Sequence, residues 1–186
     1  MTTILDKLSS IDKKIRYSLH SDTFAFLADD PFGEHYEAEI REATRLSAGG
    51  VHKALKDLVE AGLILRHNRG KLKFYQFNAA NPMSRQYKIL LNVRRIWPFI
   101  FNNLIEISDK IVLFGSASRG ENLPDSDIDL FVLSKNTARI EQVLADSDWV
   151  AKVQLIAVDH SQELALDEEL KREIEKGFII WERADD

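Results

Sequence analysis

The sequence predicts an α+β fold class, with a helical domain closed by a β-hairpin followed by an α/β domain on a small mixed sheet. Apolar residues recur at helical spacing in the first half of the chain, whereas short apolar strands alternate with helices after Lys110. Residues 1–108 carry 16 Lys and Arg against 12 Asp and Glu, and residues 109–186 carry 9 against 18. Unless charged helices scatter this way by chance, the asymmetry indicates two domains with different partners.

The composition is that of an ordinary globular chain. The 186 residues are 45% hydrophobic and 30% charged, which suits one large domain or two small ones. The chain has no cysteine, which excludes a disulfide scaffold and a thiolate zinc site. It also has no signal-like apolar core at its N-terminus and no apolar run of about 18 residues, so we expect a cytoplasmic protein without a membrane partner.

Four helices are predicted before the first strand. The first covers residues 4–19 on its apolar spacing, the second covers 22–28, and the third covers roughly 34–44. Ser47 is predicted to be the N-cap of the fourth helix, and Gly62 has the position of a glycine at its C-terminal end. The apolar residues of this helix fall at i, i+3, i+4, i+7 and i+8 and form one stripe. The stripe consists of Val51, Ala54, Leu55, Leu58 and Val59.

A change of period after Gly62 predicts a hairpin. Residues 63–66 and 72–77 are rich in β-branched, aromatic and basic side chains, and residues 67–71 between them form a turn-like break. A long helix is then predicted from about Ser84, and we expect it to kink or restart at Pro98.

The second half predicts an α/β domain. Strands are expected at 111–114, 128–133 and 153–158, helices at 137–146 and 166–176, and a last strand or packed tail at 178–181. We therefore predict a first domain at 1–82, a helical connector at 83–108 and a second domain at 109–186.

The helices and hairpin predict a DNA-binding surface. Three helices and a hairpin in this order form a winged helix, and the Ser47-capped helix would be its recognition helix. Exposed cations there would neutralise phosphates, and the hairpin would reach flanking phosphates or a minor groove. The candidate DNA-binding residues are Ser47, His52, Lys53, Lys56, Arg66, Arg69 and Lys71.

Residues 32–91 resemble the winged-helix regulators of bacteria and archaea. The segment LSAGGVHKALKDLVEAGLILRHNRGKLKFYQFN is similar to their recognition helix, wing and closing strand. The resemblance implies a double-stranded DNA partner, although winged helices also serve as protein-interaction or dimerisation modules.

A second motif predicts nucleotide and metal chemistry. A predicted strand ends at Gly115-Ser116, where backbone N–H groups and the serine hydroxyl can approach a triphosphate. Asp127 and Asp129 then alternate with apolar residues on a strand, which puts both carboxylates on one face. Paired carboxylates suit Mg²⁺ or Mn²⁺ shared with phosphates, and Arg119 could contact phosphate.

Residues 110–133 closely resemble the nucleotidyltransferase superfamily that includes DNA polymerase beta, above all its minimal members. Their signature is a hydrophobic residue, Gly-Ser, a spacer, and Asp-hydrophobic-Asp-hydrophobic. The resemblance implies Gly115, Ser116 and Arg119 as nucleotide-binding residues, with Asp127 and Asp129 as catalytic metal ligands. It also implies transfer of a nucleoside monophosphate from a nucleoside triphosphate to a hydroxyl, assisted by two metal ions.

One position departs from the family pattern. The third carboxylate of the family belongs on the next core strand, and the aligned residue here is the neutral Gln154. Asp159 lies five residues further, on the opposite face of a regular strand, and Asp146 and Asp148 precede the strand.

Two functions are therefore open: a metal-dependent nucleotidyltransferase with a DNA-binding module, or a transcriptional regulator whose degenerate C-terminal domain binds nucleotide or a partner without catalysis. Minimal nucleotidyltransferases also occur in toxin–antitoxin pairs, which makes a protein partner a third possibility. The apolar run at residues 89–97 and the first helix either form a homodimer interface or join the two domains.

Overall fold

A computed structural model describes residues 19–149 and 152–184. The chain forms two compact units that divide after Ser84. The predicted limits of the first domain, the connector and the second domain stay predictions. The helix predicted over residues 4–19 lies outside the described residues, apart from its last residue. Among the described residues no helix combines the length and the hydropathy needed to cross a membrane.

The described residues of the first unit form three helices and a three-stranded antiparallel sheet. Its elements are α1 (Leu19–Asp29), β1 (His35–Tyr36), α2 (Glu37–Thr44), α3 (Ala48–Glu60), β2 (Ile64–Arg69) and β3 (Leu72–Phe77), with the strands in the order β1-β3-β2. The third predicted helix begins later than expected, because His35 and Tyr36 pair with β3 before the chain turns into α2.

The predicted ends of α3 are confirmed. The Ser47 side chain accepts a hydrogen bond from the Gly50 N–H at 3.2 Å, which satisfies one unpaired donor of the first turn. Beyond the last turn Gly62 has φ +70°, and the Leu63 N–H donates to the Leu58 carbonyl at 3.0 Å. The predicted stripe of α3 packs inward with the apolar side of the sheet, except for Val59, which is only partly buried. The buried residues are Val51, Ala54, Leu55, Leu58, Ile64 and Phe77.

The predicted hairpin is also present, but its turn is shorter than expected. Arg69 and Leu72 are paired across the strands, so only Gly70 and Lys71 form the turn, and Gly70 has φ +62°. A two-residue turn of this kind needs a positive φ, which glycine adopts without strain. The shorter turn extends the row of paired residues, and residues 65–73 are exposed along it.

The long helix α4 (Pro82–Asn103) runs through Pro98 without restarting. A proline in a helix removes one backbone hydrogen bond, which favours the interruption that the sequence predicts. Ile96, Phe99 and Ile100 around it are buried in the core of the second unit, and their packing offsets that loss. A short 3₁₀ turn at Ile105–Ile107 then leads into the sheet.

The second unit is built on a four-stranded mixed sheet, as predicted. Its elements are β4 (Lys110–Phe114), α5 (Gly115–Arg119), β5 (Ile128–Leu133), α6 (Thr137–Ala145), β6 (Val153–Val158), α7 (His160–Leu164), α8 (Glu168–Glu175) and β7 (Phe178–Glu182). The strand order is β6-β5-β4-β7; β5 and β6 are parallel and the other pairs are antiparallel. The helix predicted over 166–176 is the shorter α8, and α7 precedes it.

The two faces of this sheet are covered by different elements. On one face, Leu113, Leu130 and Val132 belong to a core that includes residues of α4 and α6. On the other face, Phe114, Phe131 and Leu133 pack with Leu166, Leu170 and Ile174 of α8 and the residues before it. Strand residues alternate between faces, so Asp129 lies on the face that α8 covers.

Candidate nucleotide and metal site

The glycine at the end of β4 is required by both its conformation and its surroundings. Gly115 has φ +66°, the left-handed region that favours glycine. A Cβ atom built there would overlap the carboxylate of Asp129. The close approach follows from strand pairing, since Phe114, the last residue of β4, lies opposite Asp129 of β5. The backbone of Gly115 and the side chain of Asp129 therefore form one wall.

The two aspartates of the motif differ in their surroundings. Asp129 is the second residue of β5 and is half-buried, whereas Asp127 is exposed and precedes the first strand residue, Ile128. Burial raises the pKa of the Asp129 carboxyl, the neighbouring Asp127 carboxylate raises this pKa further, and Arg119 partly offsets both effects. A half-buried carboxylate whose proton affinity is raised by a neighbouring carboxylate marks a place where a divalent cation would be favourable.

The serine of the motif lies on the first turn of α5. Ser116 is half-buried, and its hydroxyl has no hydrogen-bond partner among the described residues. Its carbonyl accepts the Glu121 N–H at 2.9 Å, and the Ser118 hydroxyl donates to the Gly115 carbonyl at 2.9 Å. These bonds fix the backbone of the turn and leave the Ser116 hydroxyl available to donate to a ligand oxygen.

The arginine of the motif is already paired. Arg119 is exposed, with its Nε 3.1 Å from a Glu121 carboxylate oxygen and a terminal nitrogen 3.2 Å from a Glu173 oxygen. Glu173 also contacts Lys176 at 2.8 Å, and these two cations hold the pKa of Glu173 below its ordinary value. Arg119 can reach a phosphate only by giving up at least one of these contacts.

The residue beside Asp129 on the next strand is the one expected from the sequence. Asp129 and Gln154 are paired in the parallel register of β5 and β6, so their side chains project from the same face. Gln154 is exposed and neutral. Asp159 caps α7 by accepting the Ser161 and Gln162 N–H groups, while Asp146 follows α6 and Asp148 lies in a turn. None of these three acids is on β6.

Acidic residues of α8 and its N-cap also line the site, and sequence reasoning missed them. A cleft of about 370 Å³ has Gly115 and Asp129 on one side and Asp167, Glu169 and Glu173 on the other. No group of three His, Cys, Asp or Glu side chains within residues 19–149 and 152–184 is arranged to hold a metal ion. Two carboxylates can still suffice, because Mg²⁺ often takes one or two from protein and the rest from phosphate and water.

The predicted DNA-binding residues lie on α3 and the hairpin of the first unit. His52, Lys53 and Lys56 are exposed on α3. His52 contacts Glu37 at 3.2 Å and Lys56 contacts Glu60 at 3.8 Å, whereas Ser47 serves as the helix cap.

The hairpin contributes Arg66, Arg69 and Lys71, all exposed. Arg69 pairs with Glu34 and stacks over the Phe74 ring at 5.2 Å. A cleft of about 360 Å³ separates this hairpin from α3, and its walls are largely cationic and apolar: His52, Leu55, Lys56, Val59, Glu60, Arg66, Lys73 and Tyr75. The sequence therefore located an exposed basic surface, although three of its predicted contacts already have acidic partners.

Comparisons with known proteins bear on the second unit. The profile of the nucleotidyltransferase domain matches residues 88–181, just over half of the chain. No curated protein sequence matches the chain.

Two solved structures show weak similarity. A crystal structure of human N-acetylserotonin methyltransferase in complex with SAM aligns at 21% identity over 51% of this chain and 30% of that chain, with a TM-score of 0.32. A crystal structure at 1.40 Å of a candidate nucleotidyltransferase from Sulfolobus solfataricus aligns at 18% identity over 55% of this chain and 87% of that chain, with a TM-score of 0.35. On the family match over residues 88–181, the chain belongs to the nucleotidyltransferase domain family.

Proposed function

We propose that this chain is a metal-dependent nucleotidyltransferase that moves a nucleoside monophosphate from a nucleoside triphosphate to a hydroxyl acceptor. The observation that carries the proposal is the contact between Gly115 and the half-buried carboxylate of Asp129. This contact brings the backbone of Gly115, whose N–H group could approach a phosphate, against a carboxylate that could bind a metal ion. The family match over residues 88–181 supports the same reaction class.

Each residue of the site has a distinct task in this proposal. The backbone at Gly115 and the Ser116 hydroxyl would donate hydrogen bonds to the triphosphate. Asp127 and Asp129 would hold Mg²⁺ or Mn²⁺, whose charge would neutralise the phosphates and polarise the transferred group. Arg119 would add a further positive charge after leaving Glu173.

The transfer also requires a proton to leave the acceptor. The acceptor oxygen forms a bond to the α-phosphorus as the bond to pyrophosphate breaks, and the hydroxyl proton must go to a base. Gln154 cannot accept it, because a side-chain amide is not a useful base. Solvent or a group of the substrate would then serve, which predicts slow turnover by this chain compared with a Gln154→Asp variant.

The first experiment is calorimetric titration of each nucleoside triphosphate in the presence of Mg²⁺ or Mn²⁺. We expect metal-dependent binding by the native chain and its loss in Asp127→Asn. The matched control is Asp125→Asn, because Asp125 is exposed on the same loop two residues away. Equal affinity and an equal transfer rate in the native and Asp127→Asn proteins would remove the basis of the proposal.

A second function is favoured by the position of Gln154. The residue beside Asp129 lacks the charge that the family pattern places there, which supports a regulator whose second unit binds a nucleotide or a protein partner without catalysis. A toxin–antitoxin partner is one form of this alternative. If Gln154→Asp leaves a nucleotide-binding chain without turnover on any tested hydroxyl acceptor, the regulator becomes the better account.

We further propose that the first unit is a winged helix that binds double-stranded DNA through α3 and the hairpin. Lys53, Arg66 and Lys71 support this, because they are exposed and have no ion-pair partner within the described part of the chain. Cations on neighbouring elements that form no ion pair can each neutralise a phosphate.

The test of DNA binding is its dependence on salt. Lys53→Ala combined with Arg66→Ala should weaken binding and reduce the slope of log affinity against log salt by about 1.8, or roughly 0.9 per lost phosphate contact. The control pair is Lys135→Ala with Lys152→Ala, which removes the same charge from exposed sites of the second unit. Equal slopes for both pairs, or undetectable DNA binding at about 50 mM salt, would contradict this part.

A further inference from the structure

Buried polar side chains occupy one ridge of α4. Ser84, Lys88 and Asn92 follow one another at intervals of four, and each is at most 5% exposed. The same ridge continues as Ile96 and Ile100, which are fully buried in the apolar core. Residues four apart stack on one face of a helix, so a single face changes from polar to apolar along its length. Burying polar groups is unfavourable unless they form hydrogen bonds.

Two polar residues of this ridge, Lys88 and Asn92, bond to the loop of the candidate site. Lys88 Nζ donates to the Asn122 carbonyl at 2.5 Å. Asn92 Nδ2 donates to the Ala117 carbonyl at 2.9 Å and to the Asn122 side-chain oxygen at 2.8 Å. The Asn122 amide nitrogen lies 3.4 Å from the Asn92 oxygen. Two adjacent turns of α4 therefore contact the segment that follows the Gly-Ser turn.

A glycine brings the same segment close to the helix. Gly120 has φ +68°, and a Cβ atom there would lie 2.8 Å from the Arg85 carbonyl oxygen and 3.3 Å from a side-chain carbon of Ile89. Any other residue would push the loop away from α4. Backbone conformation, close packing and hydrogen bonds thus fix one end of the segment 120–126, which has no helix or strand of its own.

This segment joins the two halves of the site. It begins after α5, which carries Gly115 and Ser116, and it ends at Asp127, which precedes the strand and is therefore not fixed by strand pairing. We propose that Lys88, Asn92 and Asn122 are positioning residues that hold Asp127 beside Asp129 in the geometry that a metal ion needs. This inference rests on the proposed function, because it assigns these residues a role at that metal site.

The main test compares three variants of the ridge in the full chain. Asn92→Asp replaces the donor with an acceptor facing two other acceptors, and Lys88→Met removes the donor while keeping much of the side-chain volume. Ile96→Val is the matched control, since it weakens the same ridge without touching the loop. Thermal unfolding gives the stability loss of each variant, and the EPR signal of bound Mn²⁺ gives the metal affinity and its coordination.

We expect Asn92→Asp and Lys88→Met to bind Mn²⁺ about tenfold more weakly than the native chain, with an altered Mn²⁺ spectrum. Ile96→Val should lose a similar amount of stability to these two variants but keep the native Mn²⁺ affinity and spectrum. If all three variants lose affinity in proportion to stability, or if none loses affinity, the positioning role is wrong. Should Lys88→Met fail to fold, Asn92→Asp and Asn122→Ala carry the same comparison.

Hydrogen exchange separates this inference from the proposed function. The backbone amides of residues 119–127 should exchange faster in Asn92→Asp than in Ile96→Val, whether or not nucleotide binds. A native chain that binds neither Mn²⁺ nor nucleotide would remove the proposed function and with it the metal role. If the native chain binds metal but the loop amides of Asn92→Asp exchange at the native rate, the positioning role alone is overturned.

Discussion

The two units hold clefts of nearly the same volume, about 360 and 370 Å³, with opposite charge. In the first unit Arg66 and Lys73 line the cleft without an acidic partner among the described residues. In the second unit Asp129, Asp167, Glu169 and Glu173 line it, and Arg119 is tied to Glu173. A polyanion could therefore enter the first cleft directly, whereas a triphosphate could enter the second only together with cations.

The largest expected effect tests how differently the two units tolerate a methyl group. Gly115→Ala should lower the free energy of unfolding by about 2 kcal/mol, because it strains a positive φ and overlaps the Asp129 carboxylate. Gly49→Ala on α3 should instead stabilise the chain by about 0.5–1 kcal/mol, since nothing lies within 4 Å of the added Cβ. Denaturant unfolding measures both; equal effects would show that the Gly115 contact is not rigid.

A smaller expected effect tests the difference in charge between the two clefts. Glu173→Gln should tighten metal-dependent nucleoside triphosphate binding about 2- to 5-fold, because it releases Arg119 from an exposed ion pair and removes one negative charge from the cleft. Glu168→Gln is the control on the same helix, since Glu168 pairs with Lys171 and is not among the residues lining the cleft. Calorimetry measures the affinities, and weaker binding by Glu173→Gln would mean that Glu173 itself assists the ligand.

The smallest effect concerns pH. The pKa of Asp129 is raised in the folded chain, so the metal-free protein loses stability as pH rises above the ordinary carboxyl pKa near 3.9 towards the raised value. Asp129→Asn should therefore have the higher Tm in the metal-free state at neutral pH, and added Mn²⁺ should reverse that order.

Asp159 provides the opposite case for the same measurement. Hydrogen bonds from the Ser161 side chain and the Gln162 and Ser161 backbones lower the pKa of Asp159. The ionised Asp159 carboxylate therefore stabilises the folded chain above its ordinary pKa, and this stabilisation is lost as pH falls through the lowered pKa. Asp159→Asn should thus lower the Tm at neutral pH with or without Mn²⁺. Parallel Tm profiles for the two variants would contradict the assigned directions.

Strand periodicity made much of the site predictable. A period of two predicted that Asp127 and Asp129 share one face, and alignment with the family pattern identified Gln154 as the residue at the third acidic position; the parallel pairing of β5 and β6 puts Gln154 beside Asp129. Asp127 was expected on the strand but precedes it, because the boundary of a strand depends on pairing with neighbours that the local sequence does not specify. The cap at Ser47 was predictable because its hydrogen bond is local.

Long-range placements were not predictable. The acidic residues of α8 and its N-cap have the sequence pattern of the solvated side of a helix. The return of the chain over the sheet brings Asp167, Glu169 and Glu173 opposite Asp129, and the local sequence does not specify that return. The sequence does contain a pattern that could identify Lys88 and Asn92. They are polar residues at intervals of four in line with Ile96 and Ile100, on a buried ridge of the helix.

The contact between Gly115 and Asp129 has a consequence for folding kinetics. Gly115 directly follows β4 and Asp129 lies on its antiparallel neighbour β5, and the two strands are connected by the short segment 115–127, whereas Gln154 lies on a strand that follows α6. Closing a short loop costs less chain entropy than closing a long one, so contacts of low sequence separation form early. The glycine and the acid can meet while β6 is still unpaired, and substitutions at position 154 should then change the unfolding rate more than the folding rate.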